Sequence, residues 1–392
     1  MNNNHPLLPA LKKITWLRET PASIPGLLLI IPRSLRGLHV DLGKLSSNAK
    51  DQESFLSAVR ELLNGLFTDA PLIEKLAISC SGPELLYLGP KLLHIGPISE
   101  LRRLRRLDLF GTIMDLEFLH FLSVHGFHAL TIHPPAITLA SGFTATKTLN
   151  GFQTLNSLSL GGDLQQLTQL FTIISPPLLS NLSIRMVGLA KVTDSAQFLS
   201  ILGQKLAPSL HRIFLLITPF AVNAEAQSSV VEICRPLLGL RNLVSFEFIV
   251  PQTRIAFPDY ELPDVAKAWP NATKIALNFW HGPVMPSVHS LIHFALHCPQ
   301  LKVLELPHFN LNTLPGREEY PVLSHGLTRL TLGHNKCNVP RPKDLAEFLD
   351  CLFPELSIPA CRANGIGADW ELVFDSLATY QFARKYEMVR VG

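Results

Sequence analysis

Three histidines spaced four apart, His289, His293 and His297, run directly into Cys298. On a helix they form one stripe, and imidazoles one turn apart can share a zinc-like ion. The residues between them argue against that use. Val288, Leu291, Ile292 and Ala295 make the apolar face and leave the histidines on its flank, and no glutamate sits between them as in H-E-x-x-H. A polar helix flank is the expectation, with a binding surface as the alternative and no metal site. His334 and Cys337 follow a strand but bring no third ligand and no general base, so they read as turn packing beside Asn335. Gly365 and Gly367 lie near Asp369 without a Walker lysine or a dinucleotide fingerprint. No glycine-framed nucleophile elbow selects a serine. No catalytic set converges, so the expectation is a protein that is not an enzyme and needs no cofactor.

The composition agrees with a folded chain and excludes several classes. Apolar residues make up 47% of the 392 positions and charged residues 17%, which is not the balance of a disordered tail. A net charge of +3 calls for neither nucleic acid nor an anionic membrane. The run Arg102, Arg103, Arg105 and Arg106 is broken by Leu104 and followed by Leu107 and Leu109, as in a strand and its approach. The amino terminus lacks the order of a secretory signal, and the apolar stretch from Ile24 to Ile31 is interrupted by Pro25 and Gly26. An intracellular protein, cytoplasmic or nuclear, is expected. Cys80, Cys234, Cys298, Cys337, Cys351 and Cys361 are widely spaced without a CxxC pair, so buried thiols are expected.

The elements that would position any site come from a repeat. Leu327, Leu330, Leu332 and Asn335 have the L-x-x-L-x-L-x-x-N spacing of leucine-rich repeats. The same apolar spacing recurs thirteen times, with central residues Ile14, Leu38, Leu76, Leu107, Leu130, Leu158, Leu182, Ile213, Phe246, Ile275, Leu304, Leu330 and Leu356. The mean step is about 28.5 residues, within the leucine-rich-repeat range. In each unit the last two apolar residues are two apart, the period of a short strand, and point to one side of a sheet. The first closes the turn into that strand. Only stacked neighbours can bury such a wedge.

Between these strands, helical spacing predicts helices over Asp51–Leu66, from Asp194 to before Pro208, over Ala224–Cys234 and over Asp344–Cys351. Thirty prolines suit the connections. An amphipathic helix over 369–390, capped by Asp369 and carrying Trp370, Leu372, Val373, Phe374, Leu377, Phe382 and Tyr386, is expected to cover the last unit. The expected fold is α/β: a curved leucine-rich-repeat solenoid, or horseshoe, with a parallel concave sheet and irregular convex helices. It forms one domain over 1–392, with about thirteen units across 11–358.

The unit Cys298-Pro299-Gln300-Leu301-Lys302-Val303-Leu304-Glu305-Leu306 has a C-P-x-L-x-x-L-x-L form. With Leu352-Phe353-Pro354-Glu355-Leu356 and Trp370-Glu371-Leu372-Val373-Phe374, it resembles the repeat region of fungal F-box proteins over nearly the whole chain. The resemblance implies substrate recognition for a ubiquitin ligase. In that family an amino-terminal F-box recruits Skp1 and a cullin. Here the repeats begin at Leu11 and leave no room for it, so Skp1/cullin association needs an F-box supplied elsewhere or omitted.

Side chains flanking the inward leucines are the candidate protein-binding face. They are Arg106, Asp108 and Phe110; Asn181, Ser183 and Arg185; Arg212, Phe214 and Leu216; Ser245, Glu247 and Ile249; Lys274, Ala276 and Asn278; Val303 and Glu305; and Arg329 and Thr331. Their mixture of polar groups and apolar anchors suits a protein or peptide better than a phosphate track. An interaction scaffold is expected, and a structural or regulatory repeat protein unrelated to ubiquitination is the alternative.

Overall fold

The computed structural model describes residues 8–17, 20–44, 49–81, 98, 100–110, 116–133, 149, 151–190, 192–206, 208–220, 229–282, 284–333, 338–363 and 367–391. Its contacts cluster in two compact units, Met1–Val187 and Gly188–Gly392. No linker composition marks the boundary, which falls inside a strand.

In the first unit seven strands pair in parallel and in chain order: β1 (Lys13–Trp16), β2 (Gly37–Lys44), β3 (Lys75–Ser81), β4 (Arg106–Phe110), β5 (Ala129–His133), β6 (Ser157–Gly162) and β7 (Asn181–Ala190). The central residues of the spacing pattern are register partners throughout, Ile14 with Leu38, then Leu76, Leu107, Leu130, Leu158 and Leu182. All seven are buried. At each turn into a strand one carbonyl accepts from two successive amides of the next unit. Lys12 O takes Arg36 N at 2.8 Å and Gly37 N at 3.1 Å, Arg36 O takes Glu74 N and Lys75 N, and Glu74 O takes Arg105 N and Arg106 N. The pattern continues at Arg105, His128 and Asn156. The first apolar residue of the later units, such as Leu35, Ile73 or Leu104, lies beneath this turn and is buried, worth roughly 1.5–3 kcal/mol apiece, whereas Leu11 at the first turn is half-buried.

The helix α2 (Ala49–Asp69) closes part of the core with Val59, Leu62, Leu63 and Leu66. It follows α1 (Ile24–Leu28), and two further helices, α3 (Leu116–Val124) and α4 (Leu164–Ile173), return the chain later. Asp163 starts α4 by accepting from Gln166 N at 2.9 Å.

The second unit repeats the scheme. β8 (Arg212–Phe220), β9 (Ser245–Ile255), β10 (Lys274–His281), β11 (Val303–Leu306) and β12 (Arg329–Leu332) are parallel, with Ile213, Phe246, Ile275, Leu304 and Leu330 in register. The shared carbonyls are His211, Val244, Thr273 and Lys302. α5 (Val192–Leu206) leads into β8, and α6 (Val230–Cys234), α7 (Leu262–Ala268) and α8 (Leu291–His297) follow β8, β9 and β10 with buried faces, whereas β11 and β12 are joined through the 3-10 turn Arg317–Glu319, which buries no residue. Trp269, 1% exposed, packs its ring 4.4 Å from that of Phe246 and donates its Nε1 proton to Leu237 O.

Several sequence expectations shift. Asp194 is in the first turn of α5 rather than ahead of it. Of the stretch 224–234, residues 224–228 lie outside the described residues, and Ser229 starts α6 with a capping box closed by Glu232. The thirteenth spacing match yields no strand. Ser357 N still donates to Thr328 O, but Pro359 has no amide to continue a ladder, and the chain turns into α10 (Ile358–Arg362). Asp369 lies one residue inside the last helix, α11 (Ala368–Val391), and its carboxylate accepts from Val339 N instead of capping. Trp370, Val373, Phe374 and Leu377 are buried, and α11 packs on α9 (Pro342–Leu352), where Arg384 pairs with Asp350. Leu372, Phe382 and Tyr386 are exposed, all on the opposite side of that helix.

His325 ties the last strand to the core in one protonation state. Its Nε2 meets Cys298 O at 2.8 Å, its Nδ1 meets the donor Leu327 N at 3.1 Å, and its ring stands edge-on to Phe353. Nδ1 must therefore be unprotonated, and burial, with Lys302 nearby, holds the imidazole below its usual value despite the carbonyl of Cys298. A folded value below the unfolded one means that this contribution is complete above about pH 6.5 and is lost as pH falls through the folded value. Urea unfolding at about pH 7.5 and about pH 5 is expected to show a drop in stability that is smaller in His325→Gln. Separately, Trp269→Ala is expected to lower the unfolding free energy by about 3–5 kcal/mol, read from the same curves at neutral pH.

Candidate functional site

Strand alternation determines what each sheet offers to solvent. With the leucines turned inward, the residues between them stand on the open face in rows, because parallel pairing puts equivalent positions side by side. In the second unit Arg212, Ser245, Lys274, Val303 and Arg329 form one row, and Phe214, Glu247, Ala276, Glu305 and Thr331 the next. Leu216, Ile249 and Asn278 begin a third. Lys274 Nζ lies 2.6 Å from Glu247, and Arg329 lies 2.9 Å from Glu305, so these two cations are neutralised by the adjacent row. Arg212 is exposed and Phe214 half-buried.

Two positions expected on this face are not accessible. Ala276 and Thr331 are buried. Ala276 is a short side chain standing in register between Glu247 and Glu305, and Thr331 stands next to Glu305 in the same row. Thr331 Oγ1 has no hydrogen-bond partner among the described residues.

Where β10, β11 and β12 end, a cleft of about 420 Å³ opens. Its walls include Asn278, Glu305 and Thr331 together with Trp280, Pro307, His308 and Gly333. Trp280 is 57% exposed. Neither Trp280 nor His308 was among the expected face residues, since both lie past the apolar pair that defines a unit. The available signal was alternation itself, which continues from Lys274 through Ala276 and Asn278 to Trp280. Gly333 has φ of +53°, a left-handed conformation that costs other residues energy, and a side chain there would run into the His308 ring.

On the first unit Arg106 donates to Asp108 at 2.9 Å, and Asp108 Oδ1 is buried without a partner among the described residues. Phe110 ends β4, but its side chain lies outside the described residues. Asn181 donates to Asn156 O and to Ser180 Oγ, so its amide is committed to the turn, whereas Arg185 is exposed on β7. Arg106 also lines a second cleft, of about 520 Å³, with Lys12, Lys13, Arg36, His39, Glu74, Lys75 and Asp108. Of its additional residues, Lys13 and Lys75 stand just before a central apolar residue, Lys12, Arg36 and Glu74 come from the turn that precedes it, and His39 stands just after Leu38.

The histidine stripe is split by its surroundings. His293 and His297 stack with ring centroids 6.4 Å apart, while Cys298 turns inward and donates its thiol to Ala266 O. Burial, then the neighbouring His297, His289 and Lys267, lowers the His293 pKa against a small opposing effect of Asp259. Among the described residues no group of three or more histidines, cysteines and carboxylates is placed to hold a metal. His334, Cys337 and Gly365 lie outside the described residues, as does the side chain of Cys80. Burial raises the Cys298 thiol to about 12 and raises Cys234, Cys351 and Cys361 as well. These thiols stay protonated, the state of packing groups rather than nucleophiles. Among the described residues no helix is long and apolar enough to cross a membrane.

No protein-family model matches the chain, and no curated protein does. Among solved structures the chain is similar to an internalin from Listeria monocytogenes, at 14% identity and a TM-score of 0.39, over 83% of this chain and 81% of that one. The leucine-rich-repeat α/β fold rests on the parallel register and the buried repeat positions themselves.

The left-handed turn beside the Trp280 cleft gives a direct check on its rigidity. Gly333→Ala is expected to cost about 1–2 kcal/mol in urea unfolding from the backbone conformation alone, and more if His308 cannot move aside.

Proposed function

We propose that the chain is a non-enzymatic scaffold that binds other proteins through the open strand faces of its repeats. The observation that carries this is the cleft at the ends of β10–β12, which the exposed Trp280 lines together with Asn278 and with Glu305, itself paired with Arg329. A large ring next to pre-positioned polar groups is the arrangement that anchors protein interfaces. The wider face would supply Arg212, Phe214, Glu247 and Lys274 in the second unit and Arg106, Asp108, Phe110, Asn181 and Arg185 in the first.

A finer reading, supported by the C-P-x-L unit at 298–306, is that the bound protein is a substrate presented to a ubiquitin ligase inside the cell. Copurification of Skp1 or a cullin with the full-length gene product separates this reading from a scaffold unrelated to ubiquitination.

The test is affinity purification of the wild-type chain and Trp280→Ala, followed by measured binding of each recovered partner. Trp280→Ala is expected to weaken one partner by about 2 kcal/mol or more, roughly thirty-fold in Kd, with an unchanged unfolding midpoint. An identical interaction profile for the two proteins sinks the proposed cleft.

A further inference from the structure

The two open faces treat charge differently. In the second unit two of the three cations in the row meet a carboxylate on a neighbouring strand, Lys274 with Glu247 and Arg329 with Glu305, and Arg212 at the row's end has none among the described residues. In the first unit the cleft of about 520 Å³ is lined by five cations, Lys12, Lys13, Arg36, Lys75 and Arg106, against two carboxylates, Glu74 and Asp108. Both carboxylates are already engaged, Glu74 by Arg36 at 3.1 Å and Asp108 by Arg106 at 2.9 Å. Lys12, Lys13 and Lys75 are exposed and have no carboxylate within ion-pair distance among the described residues.

Register builds this cluster from residues far apart in the chain. Lys13, Gly37, Lys75 and Arg106 are successive partners on β1 to β4. Gly37 leaves the floor open between the two lysines: a Cβ there would stand 3.7 Å from Lys13 Cγ and 3.9 Å from Lys75 Cβ. Three inter-strand steps span about 14 Å, the reach of four or five residues of extended peptide.

We infer that this cleft binds an acidic peptide segment of a partner protein, its carboxylates meeting Lys13, Lys75 and Lys12 over the gap at Gly37. The inference rests on the reading of the open faces as protein-binding surfaces. Charge complementarity selects the occupant, because three uncompensated ammonium groups in one concavity favour an anionic segment. A nucleic acid fits less well. Among the described residues no phenylalanine, tyrosine or tryptophan lines the cleft to stack successive bases, His39 being its one ring, and Glu74 and Asp108 interrupt the cationic lining.

The test uses fluorescence anisotropy with the full chain and three labelled peptides of about ten residues: one rich in Glu and Asp, its Gln/Asn counterpart, and a Lys-rich control. Binding is expected for the acidic peptide alone, and to weaken as salt is raised. The double variant Lys13→Glu/Lys75→Glu is expected to lose at least ten-fold in affinity and Lys13→Arg/Lys75→Arg to keep most of it. Gly37→Leu, which fills the floor without changing charge, is expected to weaken binding with the unfolding midpoint retained.

Equal binding of the Gln/Asn peptide, no binding of the acidic peptide, or acidic binding indifferent to charge reversal overturns the inference. So does tighter binding of a single-stranded oligonucleotide through the same lysines, which would assign the cleft to nucleic acid. Loss of a partner in Trp280→Ala is scored independently, so failure here leaves the wider scaffold reading to stand or fall on that result.

Discussion

A carbonyl oxygen has two lone pairs, and in this protein the oxygens at ten strand entrances use both. The same atom of one unit accepts the last turn amide and the first strand amide of the next, at Lys12, Arg36, Glu74, Arg105, His128 and Asn156 in the first unit and at His211, Val244, Thr273 and Lys302 in the second. This fork fixes where each strand begins relative to its neighbour. A slip of one residue would send every leucine to solvent and every charged residue inward, so hydrogen bonding and burial enforce the same register. Hydroxyls reinforce several forks: Thr273 and Thr328 each donate to the same carbonyl that their own amides use.

Once the entrance is pinned, the chain between strands is free to vary. The steps between central residues range from 23 to 38, yet Ile14, Leu38, Leu76, Leu107 and their successors meet without offset within each unit. The variable length is taken up by return segments as different as the 21-residue α2 and the five-residue α6. Side chains on the open face inherit the order of the strands. That is how Lys13 and Arg106, ninety-three positions apart, come to line one cleft, and how Lys274 reaches Glu247.

The repeat was legible because its signal is local: three apolar residues at L-x-x-L-x-L spacing suffice to name a strand and the side its leucines face. Twelve of the thirteen matches lead into described strands. The last fails for an equally local reason, Pro359, whose missing amide outweighs the apolar pattern. The face residues were legible only as a class. Alternation separates Arg106, Asp108, Glu247 and Lys274 from their leucine neighbours, but whether a short residue such as Ala276 or Thr331 is accessible depends on the glutamates beside it in the row. Charge pairing across strands is invisible along the chain. The run at Arg102–Arg106 is conspicuous in sequence, yet only Arg106 of it lines the cleft, where Lys12, Lys13 and Lys75, unremarkable along the chain, join it through the strand register.

The turn at Ile358-Pro359 has a consequence for how such a sheet stops. A final parallel strand presents unpaired amides that invite another chain to extend the stack, the route by which edge strands seed fibres. Here the amide of Leu330, on β12, is given a sulfur acceptor, Cys361 Sγ at 3.5 Å, from the helix that stands where another strand would have been. One backbone donor that would have templated a thirteenth strand is thereby occupied from within. Proline and cysteine together act as a chain terminator in the polymer sense, ending growth that the repeating units alone have no means to limit.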